Sequence, residues 1–232
     1  MQLFYAPDIA INPILPEEES GHCVRVLRLG ENDGIVLTDG IGHFHKATII
    51  QAHPKRCMVS IQETWEQPQP WPVHIHLAVA PTKNIDRMEW FVEKATEIGI
   101  NAITCLNCRF SERREIKTAR LEKIMISAMK QSLKATLPRL EGMTDFQRFV
   151  KQPFNGRKFI AHCEEGDKRL LKQTYLAGEN ALILIGPEGD FSREEIESAL
   201  SNGFEPISLG DTRLRTETAA LVACHTIHVL NQ

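Results

Sequence analysis

The chain has 232 residues, a formal charge of −3 and 42% apolar residues, enough for a sizeable core in one large or two small domains. No apolar run approaches the ~20 residues that a membrane helix requires, and the start, Met1-Gln2-Leu3-Phe4-Tyr5, lacks the basic-then-apolar order of a secretory signal, so a cytoplasmic protein is expected. Six cysteines, at 23, 57, 105, 108, 163 and 224, follow no regular framework, which points to reduced thiols. In chain order, residues 34–38 alternate as a strand does, Asp39-Gly40 supplies a turn, and the alternation resumes over 43–50 and 56–64. A small β unit over residues 1–70 follows. The stretch 67–72 then places three prolines in five residues, which cannot continue a strand ladder and so marks a linker.

Beyond it the rhythm changes. Strands are predicted at 73–80, 102–106, 158–163, 181–185 and 206–209, alternating with helical stretches, so residues 73–232 read as an α/β domain with a mostly parallel sheet. His74 and His76 share one face of the first strand, but no third ligand accompanies them. A helix over 84–98 buries Met88, Phe91, Val92, Ala95 and Ile98, with Gly99 as its cap and Lys94 and Glu97 off the stripe. Cys105 and Cys108 have the spacing of a zinc or redox pair; a structural zinc needs a second pair, which is missing, and no metal is expected. Residues 107–140 hold nine Lys or Arg against three Glu, a local +6 in a chain whose remainder is −9. Within them Leu121, Ile124, Met125 and Ala128 form an apolar stripe while Arg120, Lys123, Lys130 and Lys134 fall on an adjoining face. Cations so arranged repel unless an anion meets them, which favours contact with a phosphate backbone.

The carboxyl-terminal third carries the most specific pattern. The apolar run 181–185 ends in Gly186-Pro187-Glu188-Gly189, and loops beyond strand ends are where open α/β sheets bind ligands. Ser192, with Glu195 three residues on, is a capping box that opens a helix, and Gly203 stops it. The strand at 206–209 runs into a second loop with Arg213, Leu214, Arg215, Thr216, Glu217 and Thr218 before an Ala-rich last helix. Charged and hydroxyl groups gathered there are costly unless exposed or holding a ligand. No phosphate-cradling glycine loop is present.

These blocks resemble the ribosomal small subunit methyltransferase E family of SPOUT methyltransferases. The similarity rests on Ile185-Gly186-Pro187-Glu188-Gly189, Leu209-Gly210 and the run from Leu214 to Ala219, and continues upstream at His22 to Arg28, Arg87 to Gly99, Ser111-Glu112-Arg113 and Lys130-Gln131-Ser132. Two positions depart from it: Asp190 stands where the family often has glycine, and Leu133-Lys134 where it often has Gly-Arg. The resemblance implies a PUA-like β barrel before a trefoil-knotted α/β domain, a homodimer, S-adenosylmethionine as methyl donor, and N3 of a decoding-region uridine of small-subunit ribosomal RNA as acceptor, in free RNA or in the assembled subunit. It implies a donor site formed by Ile185, Gly186, Pro187, Glu188, Gly189, Leu209, Gly210, Leu214, Arg215, Thr218 and Ala219. Arg215 would stabilise negative charge on the uracil. Glu217 is the first candidate for proton acceptor or for orienting Arg215, and Glu188 the second. Arg28, Arg113, Arg120, Lys123, Lys130, Gln131 and Lys134 are the RNA-contact candidates. A non-catalytic RNA-binding factor, a small-molecule enzyme and a knotted methyltransferase acting on another RNA are the competing readings.

Overall fold

In the computed structural model, which describes residues 2–232, the alternation read at 34–64 becomes three strands of a small sheet. One compact unit holds the residues up to Pro70 together with Ile126–Leu137. Its elements are β1 (Leu3–Tyr5), α1 (Glu17–Gly21), β2 (Gly34–Thr38), β3 (His43–Gln51) and β4 (Met58–Glu66). The strands pair in sequence order, β1 parallel to β2 and the rest antiparallel, with bulges where β4 slips against β3. Phe4, Leu15, Cys23, Leu37, Ile49 and Val59 form its core. After α1 the helix widens by one residue over His22–Val26, the Leu27 N–H reaching the His22 carbonyl at 3.0 Å. The segment after residue 131 is tied to the β2–β3 turn: the Thr38 hydroxyl and the Gly42 N–H both donate to the Ala135 carbonyl at 3.0 Å.

The other unit comprises Trp71–Met125 and Pro138–Gln232. In order it contains β5 (Ile75–Val79), α2 (Ile85–Ile98), β6 (Ala102–Asn107), α3 (Thr118–Gln131), whose second half belongs to the first unit, β7 (Arg139–Asp145) and α4 (Phe146–Phe149). It continues through β8 (Arg157–Ala161), β9 (Arg169–Leu170), α5 (Leu171–Thr174), β10 (Ala181–Ile185), α6 (Arg193–Ser201), β11 (Glu205–Ser208) and α7 (Thr216–Leu230). The seven strands lie in the order β7-β6-β5-β10-β8-β11-β9, every pair parallel. Every residue of the central β5 and β10 is buried, as strands covered on both faces must be, and His76 is the one polar side chain among them. The edge strands β7 and β9 have no counterpart in the sequence reading, because at an edge the half-exposed run Arg-Leu-Glu-Gly-Met-Thr-Asp needs no apolar alternation.

Helix termini follow local chemistry. The Asn84 side chain accepts the Asp86 N–H at 3.1 Å to open α2. Gly99 closes it at φ 128°, with the Trp71 ring so near that a Cβ would lie 2.6 Å from it. The Gly99 carbonyl accepts the His228 ring N–H at 2.6 Å, which fixes the end of α2 to α7. The capping box of Ser192 and Glu195 opens α6 as expected.

Candidate cofactor cleft

Because the sheet is wholly parallel, the loops that follow β5, β8, β10 and β11 leave it along one edge. Between three of them lies a cavity of about 290 Å³ bounded by Ile185, Gly186, Pro187, Glu188 and Asp190 from one loop, Arg213, Leu214, Arg215 and Thr216 from another, and Ala161, Cys163 and Ala219. A second space of about 460 Å³ shares Ala161, Cys163, Arg213, Leu214 and Ala219 and extends along Ser208, Leu209, Gly210, His162 and Lys168. Together they form one cleft with an apolar floor, two arginines, one lysine and three carboxylates, Glu188, Asp190 and Asp211.

The loops are fixed to one another. The Thr216 hydroxyl donates to the Gly186 carbonyl at 3.0 Å, which ties the start of α7 to the loop after β10. Glu188 accepts the Lys83 N–H at 3.0 Å, so its carboxylate holds the loop after β5 while bordering the cleft. Arg113 donates to the carbonyls of Thr82 at 3.0 Å and Lys83 at 2.6 Å and secures that loop from the other side. Lys168 donates to the carbonyls of His162 and Glu164 and shapes the loop after β8.

Of the donor-site residues expected from sequence, Ile185, Gly186, Pro187, Glu188, Leu209, Gly210, Leu214, Arg215 and Ala219 border the cleft. Gly189 and Thr218 are outside its lining, and Gly189 lies against Phe110, whose side chain a Cβ there would press at 3.2 Å. Glu217 is placed differently from the expectation that made it first candidate for proton acceptor. It is 8% exposed, one residue into α7, with Oε1 3.8 Å from Arg87 Nε of α2. Its Oε2 has no hydrogen-bond partner among the described residues. The periodicity of α7 accounts for this: residues 216, 217 and 220 fall on its buried side, while Arg215 stands at the N-cap and is exposed.

The RNA-contact candidates divide between the units, Arg28, Lys130, Gln131 and Lys134 in the first and Arg113, Arg120 and Lys123 in the second. Several already serve the fold. Besides Arg113, Arg120 Nη2 donates to Glu89 at 2.8 Å, and Lys130 Nζ donates to the buried Glu19 at 2.5 Å. Arg28 is exposed at φ 58°, and Gln131 is exposed at the end of α3. Cys105 and Cys108 are both buried, and burial pushes the Cys105 thiol up to about 12. His76 donates toward the Thr104 hydroxyl at 2.8 Å, which in turn donates to Glu141 at 2.8 Å.

Sequence reasoning missed the third wall, formed by Ala161, His162, Cys163 and Lys168. The signal was present, since 158–163 is itself an apolar strand whose end lies beside that of 181–185. The size, the apolar floor and the few converging polar groups suit a ligand of nucleoside dimensions. A side chain at Gly186 would meet the buried Phe191 ring at 3.1 Å, so glycine there lets the loop after β10 pack closely on the core.

Residues 69–228 match the family described as RNA methyltransferase domain, and residues 15–62 match that described as RNA methyltransferase PUA domain. The ribosomal RNA small subunit methyltransferase E of Rickettsia conorii is 31% identical over 219 residues, 93% of this chain and 89% of its own length. Its Bacillus subtilis namesake is 27% identical over 90% of this chain and 87% of its own. Among solved structures, a probable rRNA-methyltransferase from Porphyromonas gingivalis superposes with a TM-score of 0.95 at 47% identity, covering 100% of this chain and 98% of that one. A ribosomal RNA small subunit methyltransferase E from Neisseria gonorrhoeae, bound to S-adenosyl methionine, gives 0.87 at 28% identity over the same shares.

Proposed function

The chain belongs to the RNA methyltransferase family, in its ribosomal small subunit methyltransferase E branch, and on that premise we propose that it methylates small-subunit ribosomal RNA from S-adenosylmethionine, at N3 of a decoding-region uridine. The observation that carries this reading is the cleft itself: Gly186, Gly210, Leu214 and Arg215 all border it. When bound, S-adenosylmethionine supplies a methyl group already activated by its sulfonium charge. Ile185, Leu214 and Ala219 would hold its apolar surface, with the backbone of 186–188 and 209–210 around its polar edge.

The residues of the chain then have two tasks. Uridine N3 carries a proton at neutral pH, so attack requires that proton to leave and the resulting anion to be stabilised. Arg215, exposed at the mouth of the cleft, meets the charge that develops on the uracil carbonyl oxygens. The positive end of α7, whose first N–H groups lie beside it, adds to that field. Glu188, one of the carboxylates at the cleft wall, is assigned the proton, with its Lys83 N–H bond holding it in place. Glu217, turned toward Arg87, positions the start of α7 and hence Arg215. The base must leave its stack to present N3, so a splayed or single-stranded target is implied. The basic helix α3 and Arg28 grip flanking phosphates, and the enzyme works as a homodimer in the cytoplasm. Exposed Trp90 of α2 and Val229 of α7 support the dimer reading as apolar surface on two packed helices.

The deciding experiment incubates the protein with isotope-labelled S-adenosylmethionine and small ribosomal subunits from cells lacking it, then maps the label by nuclease digestion and mass spectrometry. Label at N3 of one decoding-region uridine is expected. Label on another base would overturn the acceptor and keep the donor. No label on subunits or free RNA would favour a non-catalytic RNA binder.

A further inference from the structure

One carboxylate joins two of the loops that line the cleft. Asp190 adopts φ 65°, the left-handed region that glycine favours and that Asp enters when its side chain bonds the local backbone. Its own N–H donates to the Pro187 carbonyl at 2.9 Å, closing the turn after β10. Its Oδ1 accepts the Phe191 N–H at 2.8 Å, and its Oδ2 accepts the Cys163 N–H, from the loop after β8, at 2.6 Å. Asp190 and Cys163 border the same cavity. Glycine, the residue common here in the resembling family, would relax the backbone and forfeit both bonds. A carboxylate accepting backbone N–H groups belongs to the stronger, charge-assisted class.

Resting on the donor reading above, we propose that Asp190 is a positioning residue that latches the loop after β8 to the loop after β10 and so fixes the third wall of the methyl-donor site. Loops held together before the ligand arrives need not be ordered by it, and affinity rises accordingly. The latch acts on the donor and leaves the RNA-binding surfaces alone. Cys163 reports on it directly, since it is exposed while the other five cysteines are buried. Burial and the neighbouring Asp190 charge both push its thiol up.

Asp190→Gly and Asp190→Asn test the proposal by S-adenosylmethionine binding, methylation kinetics, melting temperature and the rate of Cys163 alkylation by iodoacetamide. Asp190→Gly should raise the Kd for S-adenosylmethionine about tenfold, the fold-change that corresponds to one charge-assisted hydrogen bond. Cys163 should react faster in it than in Asp190→Asn, which loses the same charge but keeps an acceptor, while KM for RNA does not rise and the melting temperature does not fall. Asp190→Asn keeps an oxygen acceptor without the charge and should stay within about threefold of the unaltered Kd. Wild-type affinity in Asp190→Gly would overturn the latch. So would an Asn variant as weak as the Gly variant, since the acceptor oxygen it keeps would then hold nothing, or a parallel loss of RNA affinity and melting temperature, which marks a purely structural role. Failure of the unaltered protein to bind S-adenosylmethionine would overturn the donor reading and this proposal with it. The alkylation rates need no cofactor and tell the two failures apart.

Discussion

Leu133 occupies the position just past the end of α3 at φ 53°, with its side chain 41% exposed. The Lys134 N–H reaches back to the Met129 carbonyl at 3.1 Å, the arrangement in which glycine usually closes a helix. A leucine there strains the backbone and buries little in return. Leu133→Gly is therefore expected to stabilise the protein by about 1 kcal/mol, read as a higher denaturant midpoint at unchanged slope. Leu133 and Asp190 are the two departures from the family pattern in the glycine-bearing blocks, and each stands at a positive φ. The first brings no compensating bond, whereas the second brings two. At the cleft, Arg215→Ala should slow single-turnover methylation by about a hundredfold, the loss typical of one preorganised charge-stabilising donor. Glu217→Gln, which keeps the volume and loosens only the 3.8 Å contact with Arg87, should slow it by less than about tenfold. Equal losses would restore Glu217 as the proton acceptor.

At the scale of elements, α6 and α3 show how far local sequence reaches. The capping box at Ser192 and Glu195 was legible because its chemistry is contained within four residues. The further role of Glu195 was not: its Oε1 accepts the Arg109 N–H at 2.8 Å from the loop after β6, a partner 86 residues away. Glu195→Ala should thus cost about 2 kcal/mol, more than the roughly 1 kcal/mol of Ser192→Ala, because the larger loss strips the part-buried Arg109 N–H as well as the cap. Thermal unfolding of the two variants checks the order. The stripe of cations on α3 reads in sequence as one RNA-facing surface, yet Lys130 pairs with Glu19, a residue of α1 that is 8% exposed. Lys130→Glu is expected to destabilise by about 3 kcal/mol through two facing carboxylates, so an RNA-binding loss in it would report on folding. Lys123→Glu is expected to give weaker RNA binding and a shallower salt dependence. Pairing partners of this kind lie far off in sequence. Strands buried on both faces, by contrast, announce themselves by composition, which is why β5, β6, β8 and β10 were found and the polar edges β7 and β9 were not.

For the whole molecule, acid is the condition to which this architecture responds. His76 lies in the middle of the sheet at 5% exposure, and burial lowers it to about 4 from an ordinary 6.5. His45, His74 and His162 are lowered too, burial being the first cause in each. A neutral histidine in the folded state becomes charged more readily in the unfolded one. Its contribution is complete above pH 6.5 and declines as pH falls toward 4. For His76 alone the loss is about 2 kcal/mol by pH 5. Urea midpoints should therefore drop between pH 7.5 and 5, and drop less in His76→Gln. The strand order carries a different consequence, for the order in which the chain assembles. β10 lies between β5 and β8 although it follows both in sequence, with its five residues matched to each neighbour. Until residues 181–185 emerge during synthesis, the strands on either side have bare inner edges and nothing to hold them together. β10 thus joins β8 to the β7-β6-β5 sheet, and β11, made later still, brings in β9, a closure dominated by contacts remote in sequence. Folding should be slow for its size, and a chain stopped short of β10 should be prone to association through those open edges.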